Sequence, residues 1–189
     1  MSLQLISGPG SEPITLSEAK LHLRVDASDE DTLISALISA AREDCEHQLG
    51  RAIGTQTWQQ TLDAFPARGI ELGLPPVATI VSVKYIDLSG VLQTLSSSLY
   101  TLDNYSDLQA WVLPAQDTDW PDTLDTANAV RVQFTCGLPT VPATVKAWML
   151  LRIGTLYQHR AEVVAGQTVA ALPGDFTARL LDRYRVPAI

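Results

Sequence analysis

The stretch Glu12-Pro-Ile-Thr-Leu-Ser-Glu-Ala-Lys-Leu-His-Leu-Arg-Val-Asp26, followed by Ser28-Asp-Glu-Asp31 and a long run closing at Leu49-Gly-Arg51, decides how the rest of the chain is read. Thr15 and Glu18 stand three residues apart in the pattern of a capping box, which predicts a short helix from about Leu16. Ser28 with Asp31 repeats the device more weakly, and Asp29, Glu30 and Asp31 suit the positive end of a helix dipole. Leu33, Ile34, Leu37, Ile38, Ala41, Cys45 and Leu49 then recur at helical spacing, and Gly50 is placed to cap the C-terminus.

Working outward, two further zones appear among the 189 residues. From about Gly54 to Gly137 the period changes to two. Trp58, Gln60 and Leu62 alternate with Thr57, Gln59 and Thr61; Val81, Val83 and Tyr85 with Ile80, Ser82 and Lys84; and Val130, Val132, Phe134 and Cys136 with Arg131, Gln133 and Thr135. Asp87-Leu-Ser-Gly90 has the residues of a hairpin loop leading into a strand over Val91–Leu95. Pro75-Pro76 breaks the chain before one strand, and Pro114 ends another over Leu108–Leu113. After Pro142 the helical period returns with Val145, Trp148, Met149, Ile153 and Leu156, on a helix reaching about Gln158. The uncharged segment Val163–Leu172 reads as a mobile loop. Pro173-Gly-Asp175 restarts a short helix through Leu180, Leu181 and Tyr184, which Pro187 stops.

The expected fold class is therefore α+β. Residues 1–53 and 138–189 form a helical base, and residues 54–137 an inserted antiparallel β-sheet or small barrel.

Charge and composition narrow the function. The net charge is −8, distributed unevenly: residues 1–50 carry nine acids and three bases, residues 51–140 nine and four, and residues 141–189 three and six. An acidic chain without a basic stripe argues against nucleic-acid binding as the main activity. No basic-then-apolar leader is read at the start, and no apolar run approaches the ~18 residues that a membrane span needs. The expectation is a soluble protein made in the cytoplasm. Cys45 and Cys136 have no metal-ligand spacing and read as small buried hydrophobes.

Catalytic and metal constellations are incomplete. Glu43 and His47 lie one helical turn apart but lack a third ligand. The loop Asp117–Asp125 has oxygen ligands at calcium-like spacing without the turn glycine or terminal glutamate of an EF-hand. His22, His47 and His159 fall in different elements with no nucleophile motif nearby, and Gly8-Pro-Gly10 lacks the lysine of a phosphate loop. Trp58, Trp111, Trp120 and Trp148 suit core or interface anchors. No catalytic residue, metal or cofactor is expected.

The N-terminal run closely resembles the signature of the tailed-phage head–tail connector (adaptor) proteins. Further pieces of the same resemblance follow in order along the chain: Thr55-Gln-Thr-Trp58, Leu74-Pro-Pro-Val77, Val81–Asp87, Val141-Pro-Ala143 with Leu150, Tyr157 and Arg160, then Leu172-Pro-Gly174 and Leu180-Leu-Asp-Arg-Tyr-Arg185. One departure is Ala161, which separates Arg160 from Glu162 where the family usually puts an acid directly after the arginine.

The resemblance implies a non-enzymatic virion or prophage protein that forms a ring beneath the portal and extends the DNA channel toward the tail. It would be synthesised in the host cytoplasm and end in the virion neck. Its implied partners are the portal, other neck or tail proteins and copies of itself, with no membrane and no sequence-specific nucleic acid. A closing ring needs a heterologous interface, and an acidic N-terminal zone facing a basic C-terminal one would suit it, unless the two pair within one subunit. The candidate interface residues are Arg160, Glu162, Arg179, Arg183, Tyr184 and Arg185. Alternative readings are a tail-completion or other neck protein, a small metal-dependent enzyme using the Asp117–Asp125 loop, and a ligand-binding β module.

Overall fold

A computed structural model describes residues 2–159 and 179–186. The chain divides into two units, Met1–Gly10 with Arg51–Pro139, and Ser11–Gly50 with Thr140–Ile189.

The second of these is helical. Helix α1 (Leu16–Leu23) begins at the expected capping box. The Thr15 hydroxyl accepts from the Glu18 N–H (3.2 Å), and the Glu18 carboxylate accepts from the Thr15 N–H (2.8 Å). Helix α2 (Asp31–Leu49) differs from expectation at its start. Glu30 is the N-cap and makes no side-chain capping bond, so Ser28 does not cap the helix. Asp31 is drawn elsewhere, because its carboxylate takes the Lys20 ammonium of α1 at 2.6 Å. Gly50 closes α2 in the left-handed conformation (φ 66°), its N–H donating to the Glu46 carbonyl at 2.9 Å.

Of the expected apolar stripe on α2, Ile34, Ile38, Ala41, Cys45 and Leu49 are buried, whereas Leu37 is half-buried and Leu33 is exposed. The stripe is thus one residue narrower on the Leu33 side, and Arg42 takes a buried place beside it. Helix α3 (Ala143–Gln158) follows Pro142, its N-cap, and buries Val145, Trp148, Met149 and Ile153. The expected packing of N- and C-terminal helices is observed: α1, α2 and α3 all touch one another. The segment Val163–Leu172 and most of the helix expected from Asp175 lie outside the described residues.

The other unit is β-rich. Strands β1 (Ser2–Ser7), β2 (Gln56–Leu62), β4 (Val77–Ile86), β5 (Leu92–Thr94) and β8 (Val130–Cys136) form one sheet in the order β1-β2-β8-β4-β5. Strands β3 (Ile70–Leu72), β6 (Tyr100–Asp103) and β7 (Ala110–Pro114) form a second in the order β3-β7-β6. All pairings between these strands are antiparallel, and the larger sheet ends openly at β1 and β5, so the barrel alternative is not the one adopted.

The β8 alternation holds throughout: Val130, Val132, Phe134 and Cys136 are buried, and the residues between them half-buried. In register they face Leu62, Gln60, Trp58 and Gln56 of β2. The inner faces of both sheets meet in one core, Ile70, Leu72, Ala110 and Val112 from the smaller sheet and Val83, Val130, Val132 and Phe134 from the larger.

Two details depart from the simple alternation. In β4 the register slips between Ile80 and Ser82, so Val81 stands 52% exposed while Ile80 pairs with Phe134 and Val83 with Val132. Gln60 is fully buried because β3 needs a polar partner there. Its amide donates to the Glu71 carbonyl (2.7 Å) and accepts from the Gly73 N–H (3.0 Å). Strand β1 falls in the zone expected to be helical; it instead completes the larger sheet, with Leu3 packed over Gly73. The Asp87–Gly90 hairpin forms as expected. The Asp87 carboxylate accepts from Gln93, Val91 and Ser89, which holds its pKa below the usual range.

Candidate assembly interface

The described part of the candidate interface is the turn Arg179–Val186, which includes a 3-10 segment over Asp182–Tyr184. Helix α2 leaves its last carbonyls without intrahelical donors, and this turn supplies them. The Val186 N–H donates to the Leu49 carbonyl (2.8 Å), and Arg185 Nε donates to the Gln48 carbonyl (3.1 Å). The Arg185 cation also lies where the α2 dipole favours positive charge. Leu181 is fully buried and Tyr184 half-buried.

The inner side of the turn, Leu181, Tyr184 and Arg185, therefore closes the helical unit. Its outer side exposes Arg179 and Arg183, the latter with its guanidinium 5.9 Å from the Tyr184 ring centroid. Arg160 and Glu162 lie outside the described residues.

The charge asymmetry is partly consumed within the helical unit. Arg152 of α3 meets Asp44 of α2 at 2.7 Å, and Lys146 of α3 approaches Glu18 of α1 at 3.7 Å. Tyr157 donates a short hydrogen bond to Glu30. Among the described residues of this unit Arg42 is the most buried charge, and it sits among Glu12 (2.9 Å), Glu46 (2.9 Å) and Glu43 (3.4 Å). Burial pulls its pKa down, but the hydrogen bond to Glu12 and the charges of Glu46, Glu12 and Glu43 outweigh it, and the net shift is upward. The other buried arginine, Arg51 in the β unit, is 4% exposed, and its Nε has no hydrogen-bond partner among the described residues. Burial lowers its pKa, opposed by the charge of Asp107. Periodicity gives no sign of either arginine's burial, since arginine at a helix face or just after a glycine cap reads as solvated.

The constellations weighed for chemistry do not converge. Among the described residues no group of three or more His, Cys, Asp or Glu side chains is placed to hold a metal ion. Glu43 is turned toward Arg42. In the Asp117–Asp125 loop, Trp120 stacks on Phe65 with centroids 4.7 Å apart and planes 7° apart. Cys45 is buried among apolar groups of α2, and burial, helped by Asp44 and Glu46, pushes its thiol up to about 12. Among the described residues no helix is long and apolar enough to cross a membrane.

In the β6–β7 loop, Tyr105 is 100% exposed and stands between Asp103 and Asp107.

Residues 13–72 match the family described as Phage gp6-like head-tail connector protein. The match starts at the capping-box segment and ends in β3, so the resemblance stated from the N-terminal run is met there. In fold, the whole chain is similar to a chain from the neck of an empty GTA particle computed with C6 symmetry, with a TM-score of 0.80, 19% identity and 97% of that chain covered. It is also similar to a chain of the virion of a native gene transfer agent (GTA) particle, with a TM-score of 0.79, 20% identity and 97% coverage. A third likeness is to a chain from the neck of a native GTA particle computed with C12 symmetry, with a TM-score of 0.73 and 18% identity over 97% of its length. No curated protein is significantly similar in sequence.

Proposed function

We infer that this chain is a structural head–tail connector subunit of a tailed-phage or phage-like particle. The observation that carries the inference is a coincidence of two independent likenesses. A connector family matches the segment that builds α1, α2 and the first strands after them, and neck chains of GTA particles share the fold over the full length. The chain is a building part of the neck rather than a catalyst.

By this reading, copies of the chain assemble into a closed ring beneath the portal and extend the DNA channel toward the tail. A ring needs two different patches on each subunit that fit one another. The outer side of the Arg179–Arg185 turn is one candidate, because arginine next to an aromatic suits an interface core. Portal, other neck proteins and tail proteins are the remaining partners.

The test is made in the particle. A phage or prophage encoding the chain is deprived of its gene and complemented with the full-length protein or with a version ending before Asp175. Complementation by the full chain should restore tailed particles with the subunit in the neck. Tailed, infectious particles formed without any copy of the gene would overturn the reading. A truncated chain that stays folded but no longer enters particles supports the C-terminal contact, whereas one that unfolds outright assigns that segment to the core.

A further inference from the structure

We propose that neighbouring copies in the ring join sheet to sheet, strand β1 of one copy lying parallel to strand β5 of the next. The proposal rests on the ring reading above and names the two patches that such a ring needs.

The larger sheet has the layout of a link in a chain. Its order β1-β2-β8-β4-β5 leaves β1 and β5 as its two edges, each with backbone N–H and C=O groups facing away from the sheet. Every step across it is antiparallel, and four reversals bring β5 back to the direction of β1. Registered pairs also run straight across: Ser2 with Thr61, Thr61 with Arg131, Arg131 with Lys84, and Lys84 with Thr94. Paired residues share a face, so Ser2 and Thr94 are the two ends of one row. Neighbours in a ring of many copies differ by a small rotation, which preserves strand direction. The β5 edge of one copy therefore meets the β1 edge of the next in parallel. The row continues from Thr94 into Ser2 or, with a stagger of two residues that keeps the face, into Gln4.

Edge chemistry selects this pair of strands. Sheets keep their exposed edges from pairing by means of charged side chains or proline. The smaller sheet does so, since its edge strand β3 carries Glu71 and its edge strand β6 carries Asp103, both exposed. The larger sheet does not, for Ser2–Ser7 and Val91–Leu95 contain neither a charge nor a proline.

Those edges are apolar at the surface instead. Leu3, Leu5 and Ile6 are exposed on β1, and Leu88, Val91 and Leu92 on the β4–β5 hairpin. Exposed apolar groups beside unpaired backbone are what strand addition uses, the backbone for affinity and the side chains for fit. The Asp87 carboxylate fixes the hairpin through Ser89, Val91 and Gln93, so β5 is ordered before it meets a partner. Leu21 and Leu33 of the helical unit are also exposed, but they stand on helices and offer no strand edge. Two different edges of one chain make a heterologous interface that can close.

Cysteine cross-linking in assembled particles tests the seam. Thr94→Cys is combined in one chain with Ser2→Cys or with Gln4→Cys, and the three single variants are controls; the native cysteines are buried. Within one chain β1 and β5 are four strand spacings apart, about 19 Å, beyond the reach of a disulfide. Any bond between them therefore joins two copies. Mild oxidation should give a ladder of covalent multimers from at least one double variant and from no single one. Independently, Gln4→Glu with Thr94→Glu puts like charges on the two exposed edges and should cut incorporation about tenfold or more. Gln4→Lys with Thr94→Glu should stay within about threefold of wild type.

Double-cysteine chains that enter necks at wild-type level yet stay monomeric on oxidation, or bond only to another neck protein, would overturn the seam and leave the connector reading intact. So would paired glutamates without effect on incorporation, or an equal loss with both charge pairs. Particles whose necks lack the wild-type chain would instead overturn the connector reading itself.

Discussion

Helix α2 offers a paired perturbation that separates burial from mere apolar character. Ile38 is 3% exposed on the inner face of α2, while its neighbour Leu37 is half-buried. Truncating Ile38 to alanine removes three carbons from a dry site, roughly 2.4 kcal/mol at about 0.8 kcal/mol per methylene. Incomplete collapse of the remaining space raises the cost to ~3–4 kcal/mol. The same truncation at Leu37 removes atoms that already keep part of their surface in water, which limits its cost to ~1–1.5 kcal/mol. Urea unfolding followed by far-ultraviolet circular dichroism measures both, with equal slopes confirming that the denatured state is unchanged. Equal losses for the two variants, or a larger one for Leu37→Ala, would refute the assignment of the inner face and with it the packing of α1 and α3 against α2.

Two further outcomes are expected. The Glu18 carboxyl is held below its ordinary value of 4.5, first by the Thr15 N–H and then by the Thr15 hydroxyl and Lys146. A depressed carboxyl contributes stability that is full above its unfolded pKa and fades as pH falls through the folded one. Thr15→Ala should therefore cost ~1 kcal/mol near neutrality and less at about pH 3; a cost that grows on acidification contradicts the capping geometry. Cys45, with its thiol raised to about 12, should resist a disulfide exchange reagent in the native protein and react once it is unfolded. Rapid native labelling of Cys45 would mean that α2 opens locally or is packed differently.

Local signals carried the parts of the fold that local physics governs. The Thr15–Glu18 box, the Gly50 cap, the α3 stripe and the β8 alternation each needed only a few neighbouring residues, and each formed where the pattern put it. Most departures come from distant partners. Strand β1 depends on β2, more than fifty residues away, and only the brief alternation Leu3-Gln-Leu5 hinted at it. Ser28 lost the cap because the helix starts later, at Asp31, whose N–H donates to the Ser28 carbonyl. Val81 turned outward because β4 must bulge to stay paired with β8. Among the interface candidates, arginine and tyrosine were recognisable as types, but the division of labour was not. Arg185 faces the end of α2, whereas Arg183 faces solvent, and that distinction follows from where the chain returns to Gln48 and Leu49. Tyr105 carried no signal, since a tyrosine in a loop pattern reads equally well as folded inward.

The order in which the chain crosses between its two units has a consequence for synthesis. Strand β1 leaves the ribosome well before its partner β2, which begins at Gln56, and β8, which joins β2 to β4, ends only at Cys136. Helices α1 and α2 wait longer, for α3 at Ala143–Gln158 and for Val186 to reach Leu49. The β unit cannot close before Cys136, nor the helical unit before Val186. A chain cut short lacks the pairing strand or the closing turn and leaves apolar surface uncovered, the state that quality control removes. For a subunit of a closed ring, the role proposed above, this would matter, since a single defective copy would spoil the ring.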